Sequence, residues 1–337
     1  MKKCLITNLV FALVIGILPA SYAKDAYILK FATLAPEGTS WMNTMRELGA
    51  EVEKESQGRI KFRFYPGGVM GDELDVLRKM RINQINGAGF SGQGLGEIVP
   101  EVRVMDIPYL FEDYRQVDYV HNELFDYFAQ KFSEKGYELM GWSEVGFVYI
   151  FSKTPIEKLD DIKNVKLWSW QGDPIAKEAF TSMGLTTIPL PVTDVLTSLQ
   201  VGMIDSVYSP PIGAIALQWF TRVNYMVSLP ITHASGAVLI SKKFYDGLPP
   251  DLQELLKQKF NKHLVSLVKQ SREDNKLSVE TLKKNGITIT EITDPNRIKE
   301  FSDACKNSWH SLINKQFSKE LLDKILSLIE KANEEHQ

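Results

Sequence analysis

The fold class is determined by one stretch of the sequence, Lys166-Leu167-Trp168-Ser169-Trp170-Gln171-Gly172-Asp173-Pro174, and by the residues after it as far as Pro211. Aspartate followed by proline is typical of a helix start, because the carboxylate accepts from free helical amides and proline needs no donor partner there. A second helix is expected between Thr193, as its cap, and Gly202. Around these helices the sequence predicts three short strands, at 166–170, 186–189 and 204–208. Such alternation predicts an α/β fold with a mainly parallel sheet flanked by helices.

The same alternation continues on both sides of this stretch. Towards the N-terminus it predicts strands at 27–33 and 59–65, each followed by a helix. Towards the C-terminus, residues 251–285 carry one apolar stripe at helical spacing. At about 1.5 Å per residue, such a helix is roughly 50 Å long. That length exceeds what one small lobe needs, so we expect the helix to bridge two lobes.

The N-terminal residues have the three parts of a secretory signal. Lys2 and Lys3 give a positive start, residues 5–18 are largely apolar, and Ser21-Tyr22-Ala23 places small residues around a cleavage point. We therefore expect residues 1–23 to be removed after Ala23. A membrane anchor is the competing interpretation, but a bilayer span needs about 20 apolar residues. Removal would leave Cys305 as the remaining cysteine, so no internal disulfide is expected.

The composition indicates a soluble exported protein with a sizeable core. Of its 337 residues, 44% are hydrophobic and 24% are charged, and the formal net charge is −3. No basic patch indicates nucleic-acid binding, and no second apolar run is long enough to cross a membrane. The five histidines do not pair at metal-ligand spacing. We expect neither a metal nor a cofactor.

A glycine-rich segment, Gly87-Ala88-Gly89-Phe90-Ser91-Gly92, matches the dinucleotide-binding fingerprint letter by letter. That fingerprint should follow a strand and open a helix, whereas this segment follows a predicted helix. We therefore interpret it as a flexible crossover near a ligand cleft. It also resembles the nucleophile elbow of hydrolases, but Gln93 stands where that motif requires glycine. A serine hydrolase stays open, because the partners of a catalytic serine need not be near it in sequence.

Three aromatic side chains are candidates for a ligand wall: Trp168, Trp170 and Tyr208. Each is predicted at or near the end of a strand, and the ligand crevice of an open α/β sheet lies beyond the carboxyl ends of its strands. Gln171 adds a polar group, and the free amides of the helix that begins at Pro174 could receive an anion. The alternative is that these aromatic side chains fill a core, which is their more common role.

Short motifs along the chain resemble one family, the extracytoplasmic solute-binding subunits of tripartite ATP-independent periplasmic (TRAP) transporters. The resemblance spans essentially all of the chain after the signal, and it rests on the order and spacing of the motifs. They are Phe31-Ala32-Thr33-Leu34-Ala35-Pro36-Glu37-Gly38-Thr39, Phe64-Tyr65-Pro66-Gly67-Gly68, Met70-Gly71-Asp72-Glu73, Ile107-Pro108-Tyr109-Leu110-Phe111, Ser152-Lys153-Thr154-Pro155-Ile156, Leu199-Gln200-Val201-Gly202-Met203-Ile204-Asp205, and Ser241-Lys242-Lys243-Phe244 ahead of Leu248-Pro249.

The resemblance implies a two-lobe periplasmic binding protein fold, with a mainly parallel sheet in each lobe and a cleft that closes on a solute. On that basis, residues 24–146 and 233–272 would form the first lobe. Residues 147–232 and 273–337, with the C-terminal helices, would form the second. The resemblance also implies a periplasmic receptor that is not an enzyme, needs no cofactor and delivers a small organic solute to membrane permease subunits.

The sequence departs from this family where most members hold the carboxylate of an organic acid. Trp168 replaces the usual arginine, and Val148 replaces a second common one. An arginine fork binds a carboxylate bidentately, so its loss favours a solute that is apolar, aromatic or weakly acidic. The pattern is similar to a TRAP branch that works with a periplasmic tetratricopeptide-repeat protein. The alternatives are a dicarboxylate held without arginine, a periplasmic hydrolase, and a scaffold protein with a filled cleft.

These considerations predict one ligand site, in which the second lobe supplies an aromatic wall. Glutamine and glutamate side chains supply polar contacts, and two aromatic residues come from the opposing lobe. The predicted site residues are Trp41, Glu73, Phe90, Gln93, Val148, Trp168, Trp170, Gln171 and Tyr208.

Overall fold

The computed structural model describes residues 26–335, so the predicted signal at 1–23 lies outside the described residues. Within this range the chain forms ten strands and thirteen α-helices, none of which is long and apolar enough to cross a membrane. The strands are β1 (Tyr27–Ala32), β2 (Ile60–Tyr65), β3 (Gly87–Ser91), β4 (Tyr137–Ser152), β5 (Trp168–Trp170), β6 (Ile188–Leu190), β7 (Ser206–Ser209), β8 (Tyr225–Val227), β9 (Thr232–Ser241) and β10 (Thr288–Thr290). The helices are α1 (Ser40–Glu55), α2 (Glu73–Arg81), α3 (Gly92–Ile98), α4 (Tyr114–Glu123), α5 (Phe125–Glu134), α6 (Pro174–Ser182), α7 (Val195–Val201), α8 (Pro211–Ala216), α9 (Lys242–Asp246), α10 (Pro250–Lys284), α11 (Pro295–Lys306), α12 (Ser308–Leu312) and α13 (Lys319–Glu334).

Most strands lie in one curled sheet with the order β10-β8-β4-β9-β3-β1-β2, in which β7 also pairs with β4. β5 and β6 form a separate parallel pair. The predicted α/β class is confirmed, but the sheet is mixed rather than mainly parallel. β1 runs parallel to β2 and β3, and β8 to β10, whereas β4 is antiparallel to β7, β8 and β9. The reason is that β4 and β9 are long strands that cross between the lobes in opposite directions.

Helix α10 packs in both lobes, as the sequence predicts for a bridging helix. It is continuous over 35 residues. Near its start, Leu256 and Phe260 are buried with Phe31 in the core of the first lobe, between β1, β2 and α1. Near its end, Leu282 is buried in the core of the second lobe, beside Val207 of β7. One rigid element therefore contributes to two separate cores.

Strand β4 is irregular where it passes from one lobe to the other. Its pairing with β9 shifts between Glu144 and Gly146. Gly146 has a φ of 117°, and a Cβ atom there would lie 2.5 Å from the Asn275 side chain of α10. Both conditions require glycine. This irregularity lies at residue 146, where the sequence placed the end of the first lobe, but the exact lobe boundaries remain predictions.

Helix α13 differs from the predicted division into lobes. Leu322 and Ile325 of its apolar face are buried with Val117 and Val120 of α4, which belongs to the first lobe. Residues 273–337 therefore do not all join the second lobe. The helix is amphipathic, and it packs where α4 presents a matching apolar face.

Two local predictions were wrong. The segment 87–92 is not a flexible crossover. It forms β3, which lies between β1 and β9, followed by the start of α3. The helix expected to be capped by Thr193 begins at Val195, after a 3-10 turn, and no side chain caps it. Gly202 does end that helix, with a left-handed φ of 75°.

Candidate ligand-binding site

A cavity of about 280 Å³ is enclosed by residues of both lobes. Its wall is largely apolar and aromatic. Gln171 was predicted for the site but does not line the cavity; instead, its backbone carbonyl accepts a hydrogen bond from Gln93 Nε2 at 3.1 Å. The other predicted residues all line the cavity: Trp41, Glu73, Phe90, Gln93, Val148, Trp168, Trp170 and Tyr208. Their role in binding a solute remains a prediction.

The aromatic side of the cavity has its indole N–H groups already engaged within the protein. Trp168 and Tyr208 stack with their ring centroids 4.8 Å apart. Trp168 is 1% exposed, and its indole nitrogen donates to the Leu190 carbonyl at 3.0 Å. The Trp170 indole donates to Asp72 Oδ2 at 3.0 Å. This wall therefore presents ring surface to the cavity, and Trp168 serves the core of the second lobe at the same time.

Arg103, which was not selected from the sequence, is the arginine that lines the cavity in the described chain. Its side chain is 6% exposed. One terminal nitrogen donates to both Asp173 oxygens at 2.9 and 3.0 Å, and the other donates to Gln93 Oε1 at 3.3 Å. Its Nε lies 3.1 Å from Asp106 Oδ2 without hydrogen-bond geometry.

The Arg103 guanidinium is already shared between two carboxylates. Burial alone would lower its pKa, but the charges of Asp173 and Asp106 outweigh that effect and raise the pKa. It is therefore charged, and its charge is matched by two carboxylates of the protein itself. The sequence offered one indication that Arg103 is buried and paired. It lies in the apolar run Val102-Arg103-Val104-Met105, and a buried charge needs a partner.

The start of α6 is not a free anion site, contrary to the expectation from the sequence. Asp173 Oδ1 accepts from the amides of Ile175 and Ala176 at 2.8 and 3.2 Å. The chain's own carboxylate therefore occupies the position that an external anion would take, and Arg103 balances its charge.

Glu73 is a buried acid in the cavity wall. It is 4% exposed and accepts hydrogen bonds from the Ser91 amide at 2.8 Å, the Ser91 hydroxyl at 3.0 Å and the Gly94 amide at 2.7 Å. Burial raises its pKa to about 7, with a further contribution from the charge of Asp72, against the effect of these hydrogen bonds. Burial likewise raises the pKa of Asp106 to about 6. Near neutral pH, part of the Glu73 population is therefore uncharged.

We expect Glu73→Gln to remove a pH dependence of stability that the wild-type protein shows. The folded-state pKa of about 7 lies above the ordinary value of 4.5. Between these pH values the folded state binds more protons, so the free energy of unfolding falls as pH rises through this window. Glutamine does not titrate, so the slope should flatten.

Urea denaturation between pH 5 and pH 8 measures this slope. The absolute stability of Glu73→Gln can change as well, because the new amide nitrogen cannot accept the hydrogen bond from the Gly94 amide. The slope of stability against pH is therefore the quantity to compare. Glu97→Gln, at a half-exposed site, is the control and should keep the wild-type slope. Equal slopes in wild type and Glu73→Gln would contradict the prediction.

A serine and two histidines meet beside the cavity, which bears on the hydrolase alternative. Ser235 Oγ lies 3.1 Å from His121 Nε2 and 3.3 Å from His233 Nδ1, and His233 Nε2 lies 3.3 Å from Glu144. The order resembles a nucleophile, base and acid. However, Ser235 is 1% exposed and does not line the cavity, whereas His233 and Glu144 do. A solute in the cavity would therefore contact His233 and Glu144 but not the Ser235 hydroxyl.

Comparison with known proteins identifies the family. Residues 31–316 match the DctP model, described as "Bacterial extracellular solute-binding protein, family 7". The chain belongs to this family. It is a TRAP-type solute-binding protein, as its motifs indicated, and the family is a class of receptors rather than of enzymes.

Relatives and solved structures agree with this assignment. A solute-binding protein of Verminephrobacter eiseniae is 25% identical over 281 residues, 82% of each chain. The 2,3-diketo-L-gulonate-binding periplasmic protein YiaO of Escherichia coli is 25% identical over 264 residues, 76% of this chain and 77% of its own. The crystal structure of the sugar acid binding protein of Advenella mimigardefordensis, in complex with galactonate, has a TM-score of 0.86 at 22% identity, covering 91% of this chain and 99% of that chain. The two-lobe periplasmic binding protein fold is thereby confirmed.

Proposed function

We propose that this TRAP-type receptor closes on a small solute with an apolar or aromatic body that is neutral or weakly acidic. The main support is the composition of the cavity wall, which contains aromatic ring surface and Val148. Its arginine, Arg103, is already paired with Asp106 and Asp173. A fully ionised carboxylate would be buried there without a free cationic partner, which costs several kcal/mol. An apolar body gains about 25 cal/mol for each Å² removed from water.

In this proposal both lobes contact the solute. Trp41 and Phe90 of the first lobe face the aromatic wall of the second. Gln93 and the partly uncharged Glu73 supply hydrogen bonds to a polar tip of the solute. Gln171, which does not line the cavity, helps to join the lobes through its carbonyl group.

We further infer that the receptor acts in the periplasm, after loss of residues 1–23, and carries out no catalysis. TRAP solute-binding proteins work with membrane permease subunits, so a permease is the partner that receives the solute. The relatives named for this family give no support for a tetratricopeptide-repeat partner, and the proposal leaves that partner out.

A sugar acid is the second candidate solute. It is favoured by the galactonate in the Advenella structure and by the 2,3-diketo-L-gulonate in the name of YiaO. Such a solute brings hydroxyl groups and a carboxylate. Here its carboxylate would have to be bound by neutral donors rather than by a free arginine fork.

Native mass spectrometry of the purified receptor tests the proposal, because a tightly bound solute is retained and its mass is measured directly. Thermal shift assays with phenol, indole, galactonate, glucuronate and succinate then compare the solute classes. We expect stabilisation by the aromatic compounds and none by the other three. Stoichiometric stabilisation by galactonate or glucuronate would instead establish the second candidate, and stabilisation by succinate would restore the dicarboxylate alternative.

Substitution of Trp168 tests the aromatic wall. Trp168→Arg places a guanidinium in the second-lobe wall, so we expect the preference to move from aromatic compounds towards carboxylates. Trp168→Phe keeps an aromatic surface and serves as the control, with the wild-type preference and weaker binding. An unchanged preference in Trp168→Arg would remove this residue from the binding site.

A further inference from the structure

Polar contacts join the two lobes along one side of the cavity, and we call this set the seam. In each contact, one partner comes from the first lobe and the other from the segment 170–192 of the second lobe. The seam consists of Asp72 with the Trp170 indole (3.0 Å) and the Val192 amide (2.8 Å), Gln93 with the Gln171 carbonyl (3.1 Å), and Arg103 with Asp173 (2.9 and 3.0 Å).

The seam separates the cavity from an outer groove of about 710 Å³. Four residues, Gln93, Arg103, Trp170 and Asp173, line both spaces. The partition between cavity and groove is therefore built from seam residues, and the ion pair of Arg103 with Asp173 is its charged part. A route from the groove to the cavity passes through this pair.

The ion pair is arranged so that it can open without leaving either charge alone. Arg103 has a second carboxylate, Asp106, on its own lobe, and Asp173 keeps the α6 amides of Ile175 and Ala176. On opening, both groups also return to water, and the recovered hydration offsets part of the lost attraction. In the closed state one terminal nitrogen of Arg103 donates to both Asp173 oxygens, and both side chains are at most 8% exposed, so this contact holds the two lobes at a defined distance.

We propose that the Arg103–Asp173 pair is an interlobe latch, and that solute reaches the cavity from the outer groove when the latch opens. Arg103 is thus a positioning residue that acts through closure of the lobes and not by binding the solute. The inference rests on the proposed receptor function, but its test uses solute-free protein. An error in the proposed solute class therefore leaves the test unaffected.

The distance between the lobes can be measured with two spin labels. Ile82→Cys in the first lobe and Val201→Cys in the second are suitable sites, because these side chains are 64% and 71% exposed. Cys305 is 1% exposed, and burial raises its thiol pKa to about 12, so the labels attach at the introduced cysteines. Pulsed electron paramagnetic resonance on receptor freed of solute by unfolding, dialysis and refolding then gives the interlobe distance distribution.

Two matched substitutions separate the latch from a general effect of charge. Asp173→Asn removes the charge across the seam while asparagine still caps α6. Asp106→Asn also removes one carboxylate charge beside the Arg103 guanidinium, and Asp106 is as buried as Asp173. Asp106, however, lies in the same lobe as Arg103, so this change does not affect a contact between the lobes. We expect the distribution of Asp173→Asn to shift to longer distances and that of Asp106→Asn to match wild type.

Arg103→Lys is the third variant. Lysine keeps the charge but lacks the planar guanidinium whose two terminal nitrogens donate separately to Asp173 and Gln93, so it should give an intermediate shift. Thermal unfolding of each labelled variant verifies that it is folded at the measuring temperature. The proposal is overturned if Asp173→Asn and wild type have the same distribution, or if Asp106→Asn lengthens the distance as much as Asp173→Asn does.

Discussion

Replacement of Arg272 by methionine is expected to lower the free energy of unfolding by about 3–5 kcal/mol. Arg272 of α10 donates to Glu144 at 2.8 and 2.9 Å and to Asp118 at 2.8 and 2.5 Å. The Glu144 side chain is 1% exposed. Without the guanidinium, a buried carboxylate is left facing the His233 imidazole, at 3.3 Å. This cluster also ties the bridging helix to β4 where that strand passes between the lobes.

The loss of unfolding free energy in Arg272→Met should be larger at neutral pH than at acidic pH. Burial alone would raise the pKa of Glu144, but the neighbouring His233 imidazole and the hydrogen bonds from Arg272 lower it to about 2. A folded-state pKa below the ordinary value of 4.5 means that the ionised carboxylate contributes stability above pH 4.5. That contribution is lost as pH falls towards 2. Chemical denaturation should therefore show the full deficit of Arg272→Met at pH 7 and a smaller one at pH 3.

Arg46→Met is the matched control for this prediction. Arg46 also binds a carboxylate bidentately, that of Glu37. It lies over the Phe64 ring, as Arg272 lies over the ring of Tyr114. Both charged side chains are about half exposed, however. Exposed ion pairs contribute little because water already solvates the charges. A loss in Arg46→Met as large as in Arg272→Met would contradict the explanation by burial.

The Gly92→Ala substitution is expected to lower the free energy of unfolding by about 3 kcal/mol, because the added methyl group displaces a buried charge. A Cβ atom on Gly92 would lie 1.8 Å from Asp106 Oδ2 and 2.7 Å from its Cγ. Asp106 would have to move away from Arg103 and from the Ser235 amide, which donates to it at 3.2 Å. Thermal and urea denaturation measure the effect.

Two comparisons test whether the clash is the cause. Gly247→Ala should have a small effect, because Gly247 has a φ of −74° and its added Cβ would approach backbone oxygens no closer than 3.3 Å. Asp106→Ala removes the atoms that the new methyl group meets. The double variant Gly92→Ala with Asp106→Ala should therefore be more stable than the sum of the two single effects. Full additivity would exclude the clash as the explanation.

Gly92 also shows why the glycine-rich segment could not be interpreted from the sequence. Its letters match a dinucleotide fingerprint, but the segment itself forms strand β3 and the first residue of α3. Its glycines nevertheless permit side chains to approach closely: Asp106 at Gly92, and Trp41 at Gly89, where a Cβ would lie 2.5 Å from the indole ring. Those neighbours come from other parts of the chain, so the local pattern carries no information about them.

The sequence by itself determined the α/β class, the helix start at Asp173-Pro174, the bridging helix and the family, because each follows from local periodicity, caps or motif order. Trp168, Trp170 and Tyr208 do lie around one cavity, although Trp168 begins β5 rather than ending it. Only the tertiary structure decided the opposed directions of β4 and β9, the packing of α13 on the first lobe, and the partners of Arg103. Arg103 and Asp173 are 70 residues apart in the chain. Hydrophobic periodicity shows which residues are buried but not which distant residues they meet, because that choice depends on how whole elements pack against one another.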